Sequence, residues 1–213
     1  MVTNLLLPKS SLRIIYSLLA LDRAITVREL SKIAEVPLPK CSYFTRALEN
    51  LGYIRRRPKL AVTDKRLVYL LAYTYPLRAV PFIGFETLER TVSTVQKIAE
   101  IGKKEGMNYA FTHIAASEII SPYKFSNFVY FYAEQGDAEK WKENLKKVGI
   151  MENRNGSIRL LLSELNPFLG TREINGIKVA SPALLYSDLY SSEEGEVAKW
   201  ISKGEVSLNY GNL

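Results

Sequence analysis

The chain has 213 residues, 47% hydrophobic and 24% charged, the balance of a globular protein with a core and not of a disordered or fibrous chain. A single cysteine, Cys41, excludes an internal disulfide. No apolar run approaches the ~20 residues of a membrane helix, and residues 1–7 are too short for the apolar core of a secretory leader, so a soluble cytoplasmic protein with no membrane partner is expected.

The net charge of +7 is divided unevenly. Residues 1–78 carry 14 Lys and Arg against 5 Asp and Glu, a net of +9, whereas residues 79–213 carry 15 against 17, a net of −2. All the excess positive charge lies in the first third, and a polyanion is the partner this implies there.

Residues 11–21 are predicted helical, with Leu12, Ile15, Tyr16 and Leu19 on one face. Residues 22–25 connect to a second helix, opened by a capping box of Thr26 and Glu29 and buried through Leu30, Ile33 and Ala34. A tight connection at 36–39 places Pro39 at the first position of a third helix. That helix runs to Leu51, with Cys41, Phe44, Leu48 and Leu51 inward and Gly52 as its C-terminal cap. Cys41 thereby reads as a small buried hydrophobe and not as a redox sensor. A hairpin is predicted next, with strands at 53–56 and 60–62 and its turn at 57–59. Thr63 or Asp64 caps a fourth helix over 65–75.

Pro76 and Pro81 bracket a change in composition, which divides the chain into domains 1–78 and 79–213. A long helix is predicted over 86–105, with Leu88, Val92, Val95, Ile98 and Ala99 buried; it is also a candidate surface for homodimer formation. A strand at 108–112, a short helix at 115–120, a buried aromatic strand at 127–133 and a helix from Asp137 to Val148 follow. Asn155-Gly156 and Asn175-Gly176 each mark a hairpin, the first joining 150–153 to 157–162 and the second 173–174 to 177–180. Ser181-Pro182 opens a helix to Tyr190, and 194–203 is the last. The order β-α-β-α-β-β indicates an α/β or α+β domain.

Helix, helix, tight turn, helix and basic hairpin is the order of a winged helix-turn-helix, and such a domain binds double-stranded DNA by laying its third helix in the major groove. The exposed positions early in that helix are Lys40, Ser42, Tyr43 and Arg46. Arg46 is suited to a guanine edge, Ser42 and Tyr43 to phosphates or bases, and Lys40 to the backbone. The hairpin carries Arg55, Arg56, Arg57 and Lys59, four cations in five positions, as a wing against phosphates or the minor groove needs. Arg28 is a further phosphate candidate. Winged helices also dock proteins, but a docking wing has no use for three consecutive arginines, and the third helix has no acid from Lys40 to Leu48.

Residues 11–75 resemble the winged helix-turn-helix of many bacterial and archaeal regulators, and Leu48-Glu49-Asn50-Leu51-Gly52-Tyr53-Ile54 resembles their junction into the wing. The whole chain resembles the AbiEi-type antitoxins of type IV toxin–antitoxin systems, on the stretches Tyr109-Ala110-Phe111-Thr112-His113-Ile114-Ala115-Ala116 and Val179-Ala180-Ser181-Pro182-Ala183-Leu184-Leu185-Tyr186-Ser187-Asp188-Leu189. The resemblance implies an α+β protein: a winged helix-turn-helix followed by an α/β domain like a degenerate nucleotidyltransferase core. It also implies a repressor of its own operon, opposing a nucleotidyltransferase-like toxin.

An active nucleotidyltransferase needs a Gly-Ser loop and two strand carboxylates to hold metal ions. Residues 113–117 contain no Gly-Ser, and strand 128–133 contains no acid; Glu134 follows it. No catalytic residue, metal or cofactor is therefore expected. His113, the single histidine, reads as a hydrogen-bonded residue at a strand end. Asp188 reads as a structural carboxylate that bonds backbone donors, with a partner surface as the other option, and the strand 128–132 reads as core. The alternative function is a one-component regulator whose C-terminal domain binds a small-molecule effector, suggested by the aromatic clusters at 128–132 and 186–190.

Overall fold

The computed structural model describes residues 6–21 and 23–203. Most of the apolar N-terminal segment, residues 1–5, and Asp22 of the first connection lie outside them. In chain order, α1 (Lys9–Ala20), α2 (Val27–Ile33) and α3 (Leu38–Asn50) precede a hairpin of β1 (Ile54–Arg55) and β2 (Ala61–Val62), then α4 (Leu67–Thr74). After a 3-10 turn at Leu77–Ala79 come β3 (Phe82–Glu86), α5 (Thr91–Glu105), β4 (Tyr109–Thr112), α6 (His113–Ile120), β5 (Val129–Ala133) and α7 (Ala138–Lys147). The chain continues through β6 (Met151–Glu152), β7 (Ile158–Leu161), β8 (Arg172–Ile174), β9 (Ile177–Val179), α8 (Pro182–Ser191) and α9 (Gly195–Lys203). The fold is mixed α and β.

Strands β3 to β9 form one sheet in the order β6-β3-β7-β5-β4-β9-β8, with β5–β7 and β4–β9 parallel and the other pairs antiparallel. Alternation along β4 and β5 sorts their side chains between two faces. Tyr109 and Phe131 meet Trp141 of α7 on one face, with Phe111 packed between them. Thr112 and Tyr132 meet Asp188 of α8 on the other. Helix α5 contacts α7, and α6 and α9 contact α8, so the sheet lies between two helical layers.

The N-terminal helices join this body through α8, whose far side packs on α1 and α4. Residues Ala183 to Leu189 are consequently buried without interruption. Tyr16 donates from its hydroxyl to the Leu169 carbonyl at 3.0 Å, and the apolar core runs continuously across the change in composition at residue 78. The same packing accounts for α1. Its predicted face is buried as expected, but Ile14 and Leu18 on the other side are buried too, because the helix is covered all round.

Several boundaries differ from the sequence expectation. Helix α3 begins at Leu38, one residue before Pro39, and its inner face is Cys41, Thr45 and Leu48; Leu51 is exposed. A 3.6-residue period carries the buried stripe from 41 to 45 and 48, and Leu51 falls past it as the C-cap. Helix α4 starts at Leu67, where Asp64 holds the entry by accepting from the Arg66 amide instead of capping. Helix α5 starts at Thr91, so Leu88 and Val92 are exposed while Val95, Ile98 and Ala99 are buried.

The largest difference is β3. Pro81 reads as a boundary and no strand is expected after it, yet Phe82–Glu86 is an interior strand flanked by β6 and β7. The Asn155-Gly156 hairpin is therefore absent: β6 and β7 pair with opposite edges of β3, and the connection between them crosses over it. Phe85 is opposite Glu152 on one side and Ile158 on the other. Asn153 donates its amide to the Gly84 carbonyl at 2.9 Å.

The crossing is possible because a Cβ is missing at two places. One at Gly156 would lie 2.0 Å from the Phe85 carbonyl oxygen, and one at Gly84 would lie 2.4 Å from that of Asn153. Gly156→Ala must displace backbone and is expected to cost about 3 kcal/mol, read as a lowered urea midpoint; a parent-like midpoint would show that the crossing can relax. The Asn175-Gly176 hairpin forms as expected, with Ile174 opposite Ile177 and both turn residues at positive φ.

Candidate nucleic-acid interface

Helix α2 is opened by the predicted capping box: Thr26 Oγ1 accepts from the Glu29 amide at 3.1 Å, and the Thr26 amide donates to Glu29 Oε2 at 2.7 Å. Residues 34–37 make the turn, with Glu35 in the left-handed region (φ 53°) and Ser31 Oγ donating to the Val36 carbonyl at 2.7 Å. In the first turn of α3 Pro39 cannot donate a hydrogen bond and no acid is present. Its free N–H groups and dipole make this end receptive to an anion.

Cys41, Thr45 and Leu48 hold α3 against the core, and burial raises the Cys41 thiol to about 11, so it stays protonated. The opposite stripe carries Lys40, Tyr43 and Arg46, all exposed, and continues to Asn50. Asn50 was not among the expected contacts; its position four residues after Arg46 is the signal that places it there. Arg28 is exposed in the first turn of α2.

The hairpin is anchored beside α3. Leu60, just before β2, and Ile25 exchange two backbone hydrogen bonds of 2.7 and 3.0 Å, which fasten the hairpin to the segment before α2. Ile54 points inward and Arg55 outward, opposite Ala61. Arg55, Arg57 and Lys59 are exposed and make no ion pair among the described residues.

Arg56 differs from its neighbours. Its amide donates to Glu49 Oε1 at 3.2 Å, its Nη1 lies 3.9 Å from Glu49 Oε2, and its Nη2 donates to Ser42 Oγ at 3.3 Å. The side chain is 20% exposed. Arg56 and Ser42 thus tie the hairpin to α3, while Lys40, Tyr43, Arg46, Arg55, Arg57 and Lys59 are left to face solvent.

The other residues singled out in the sequence lie in the second half. Asp188 is buried and accepts from the hydroxyls of Thr112 at 2.5 Å and Tyr132 at 2.9 Å, and not from backbone donors. Burial pushes its carboxyl up to about 7, against the lowering effect of both hydroxyls. His113 begins α6 at φ 59°, 6% exposed, and neither ring nitrogen has a hydrogen-bond partner among the described residues, contrary to the expected bonded role. Its ring packs on Tyr130 with centroids 4.8 Å apart, and burial lowers its pKa to about 4, so it is neutral near pH 7. In the aromatic strand Phe131 and Tyr132 are core, but Phe128 is exposed and Tyr130 half-buried, because both turn toward Arg159.

Among the described residues no helix is long and apolar enough to cross a membrane. No protein-family model matches the chain, and no curated protein or solved structure matches it significantly.

Proposed function

We propose that this protein is a DNA-binding transcriptional regulator whose N-terminal region is a winged helix-turn-helix, with α3 in the major groove and the β1–β2 hairpin as the wing. The observation that carries this reading is the cationic surface on α3 and the adjoining hairpin: Lys40, Arg46, Arg55, Arg57 and Lys59 are exposed, while the nearby Glu49 is taken up by Arg56. Arg46 and Tyr43 face base edges in this arrangement; Lys40, Arg28 and the wing cations meet phosphates, and Asn50 extends the contact along α3.

The resemblance to AbiEi-type antitoxins extends the reading to a repressor of its own operon that opposes a nucleotidyltransferase-like toxin. What supports a non-catalytic second half is that β4 passes directly into α6 with His113, and that β5 carries no acid on which metal ions could sit.

Fluorescence-anisotropy titration of the full chain with duplex DNA from its own promoter tests the proposal. With five phosphate-facing cations per copy, log K is expected to fall with log salt at a slope of about −4.5. The absence of salt-dependent duplex binding would overturn it. Arg46→Ala is expected to cost ~1–3 kcal/mol at one base position only; an equal loss on every sequence would make Arg46 a phosphate contact.

A further inference from the structure

A second cationic site lies away from the helix-turn-helix. Arg159 stands on β7 opposite Tyr130 of β5 and Gly84 of β3. Its guanidinium carbon is 4.7 Å from the centre of the Phe82 ring, 5.4 Å from Tyr130 and 5.7 Å from Phe128. Three rings around one cation offset part of its lost hydration and hold its plane in place. They supply no acceptor. Among the described residues the guanidinium makes no hydrogen bond or ion pair, and its Nε is closed off from solvent without a partner. A half-buried arginine in that condition pays for dehydration and leaves its donor fork unused.

The unused fork borders a cavity of about 270 Å³. Arg78, exposed and without an ion pair among the described residues, lines it from the 3-10 turn that leads out of the N-terminal region. Ser191 and Ser192 line it at the end of α8, but their hydroxyls already donate to the Asp188 carbonyl. Glu193, at φ 66°, is the acid of the lining and pairs with neither arginine. The lining therefore contributes two arginines against one carboxylate that pairs with neither.

We infer that this cavity is an anion site in which Arg159 and Arg78 together hold the phosphate of a small phosphomonoester. Two guanidiniums match the charge of a phosphate dianion, and the planar fork of a clamped arginine matches two of its oxygens. The volume admits a phosphate with a few further atoms and not a nucleic-acid strand. Glu193 opposes the ligand and sets an upper limit on affinity. The site does not depend on the DNA-binding reading. It lies where the N-terminal region meets the sheet, so a ligand there touches both.

Isothermal titration and thermal shift of the full chain with inorganic phosphate and with glycerol 3-phosphate, at constant ionic strength, provide the test. Saturable binding with a raised Tm is expected. Arg159→Met should weaken it at least tenfold, Arg78→Ala should weaken it, and Glu193→Gln should strengthen it. Arg78 is exposed, so its variant serves should Arg159→Met fail to fold. Because phosphate can also visit the DNA-binding surface, the variant lacking Arg55, Arg57 and Lys59 is titrated beside these and should bind phosphate like the parent. Binding lost in that variant but kept in Arg159→Met and Arg78→Ala, or a response that follows ionic strength alone, would overturn the inference.

Discussion

Replacing Arg55, Arg57 and Lys59 together by alanine is expected to weaken duplex binding by about 500-fold at 0.1 M salt and to reduce the slope of log K against log salt by about 2.7. Each phosphate contact contributes about 0.9 to that slope, and so about 0.9 of a decade in affinity at 0.1 M. The loss should shrink as salt rises, because the released counterions then return to a more concentrated solution. Stability should hardly change, since the three side chains are exposed and unpaired among the described residues. Arg56→Ala is the contrasting variant. It removes the side-chain links to Ser42 and Glu49, keeps the backbone amide bond to Glu49, and leaves that carboxylate without its cation. It should lower the urea midpoint and loosen the wing while changing the salt slope less than removal of any exposed wing cation. Anisotropy titrations from 0.05 to 0.4 M salt read both effects. A triple variant with the parent's affinity and slope would remove the hairpin from the interface.

The second large effect is a pair of opposed pH dependences. Asp188 ionises at about 7 in the native protein and near 3.8 in the unfolded chain. Between these values the native state keeps a proton that the unfolded state has released. Stability from this group is complete below pH 4, falls as pH rises to 7 and is level above, with a total change of about 4 kcal/mol. His113 behaves oppositely. It titrates at about 4 in the native protein and near 6.5 unfolded, so the unfolded state holds the extra proton and stability rises between pH 4 and 6.5, by about 3 kcal/mol.

In the parent the two largely cancel from pH 4 to 6.5. Asp188→Asn keeps a side chain that can bond the Thr112 and Tyr132 hydroxyls, and should expose the His113 rise. His113→Asn, with a residue that tolerates the left-handed backbone, should expose the Asp188 fall. Urea midpoints at pH 4, 5, 6.5 and 8 decide this as differences from the parent. Parallel profiles in all three proteins would mean that neither group titrates as its burial requires.

Features set by near neighbours in the chain are legible in the sequence. The capping box of Thr26 and Glu29, the C-terminal glycine of α3 and the Asn175-Gly176 hairpin depend on residues within a few positions of one another, and their geometry follows from those residues alone. The outward stripe of α3 is legible for the same reason, because a helix of known start repeats every 3.6 residues. The charge division at residue 78 needs no structure at all. The second half was harder. Asn155-Gly156 carries as strong a turn signal as Asn175-Gly176, but the first spans a third strand and the second does not. The difference lies in β3, some seventy residues earlier, which competes for the hydrogen-bonding edges of both β6 and β7.

The identity and order of the N-terminal elements, the concentration of positive charge there and the side chains that α3 turns outward follow from the amino-acid order. Each is a property of neighbours along the chain. Which cations are free is set by long-range packing in the fold. Arg56 is withdrawn by Ser42 and Glu49, while Arg159, one basic residue among many in the sequence, is gathered by the rings of Phe82 in β3, Tyr130 in β5 and Phe128 just before it, and is left without an acceptor among the described residues. The same packing encloses α8 between the sheet and α1, which turns Asp188 from an ordinary helix carboxylate into one that ionises near neutrality. Burial and pairing are set by residues far apart in the chain, and periodicity carries no information about what will lie across from a given side chain.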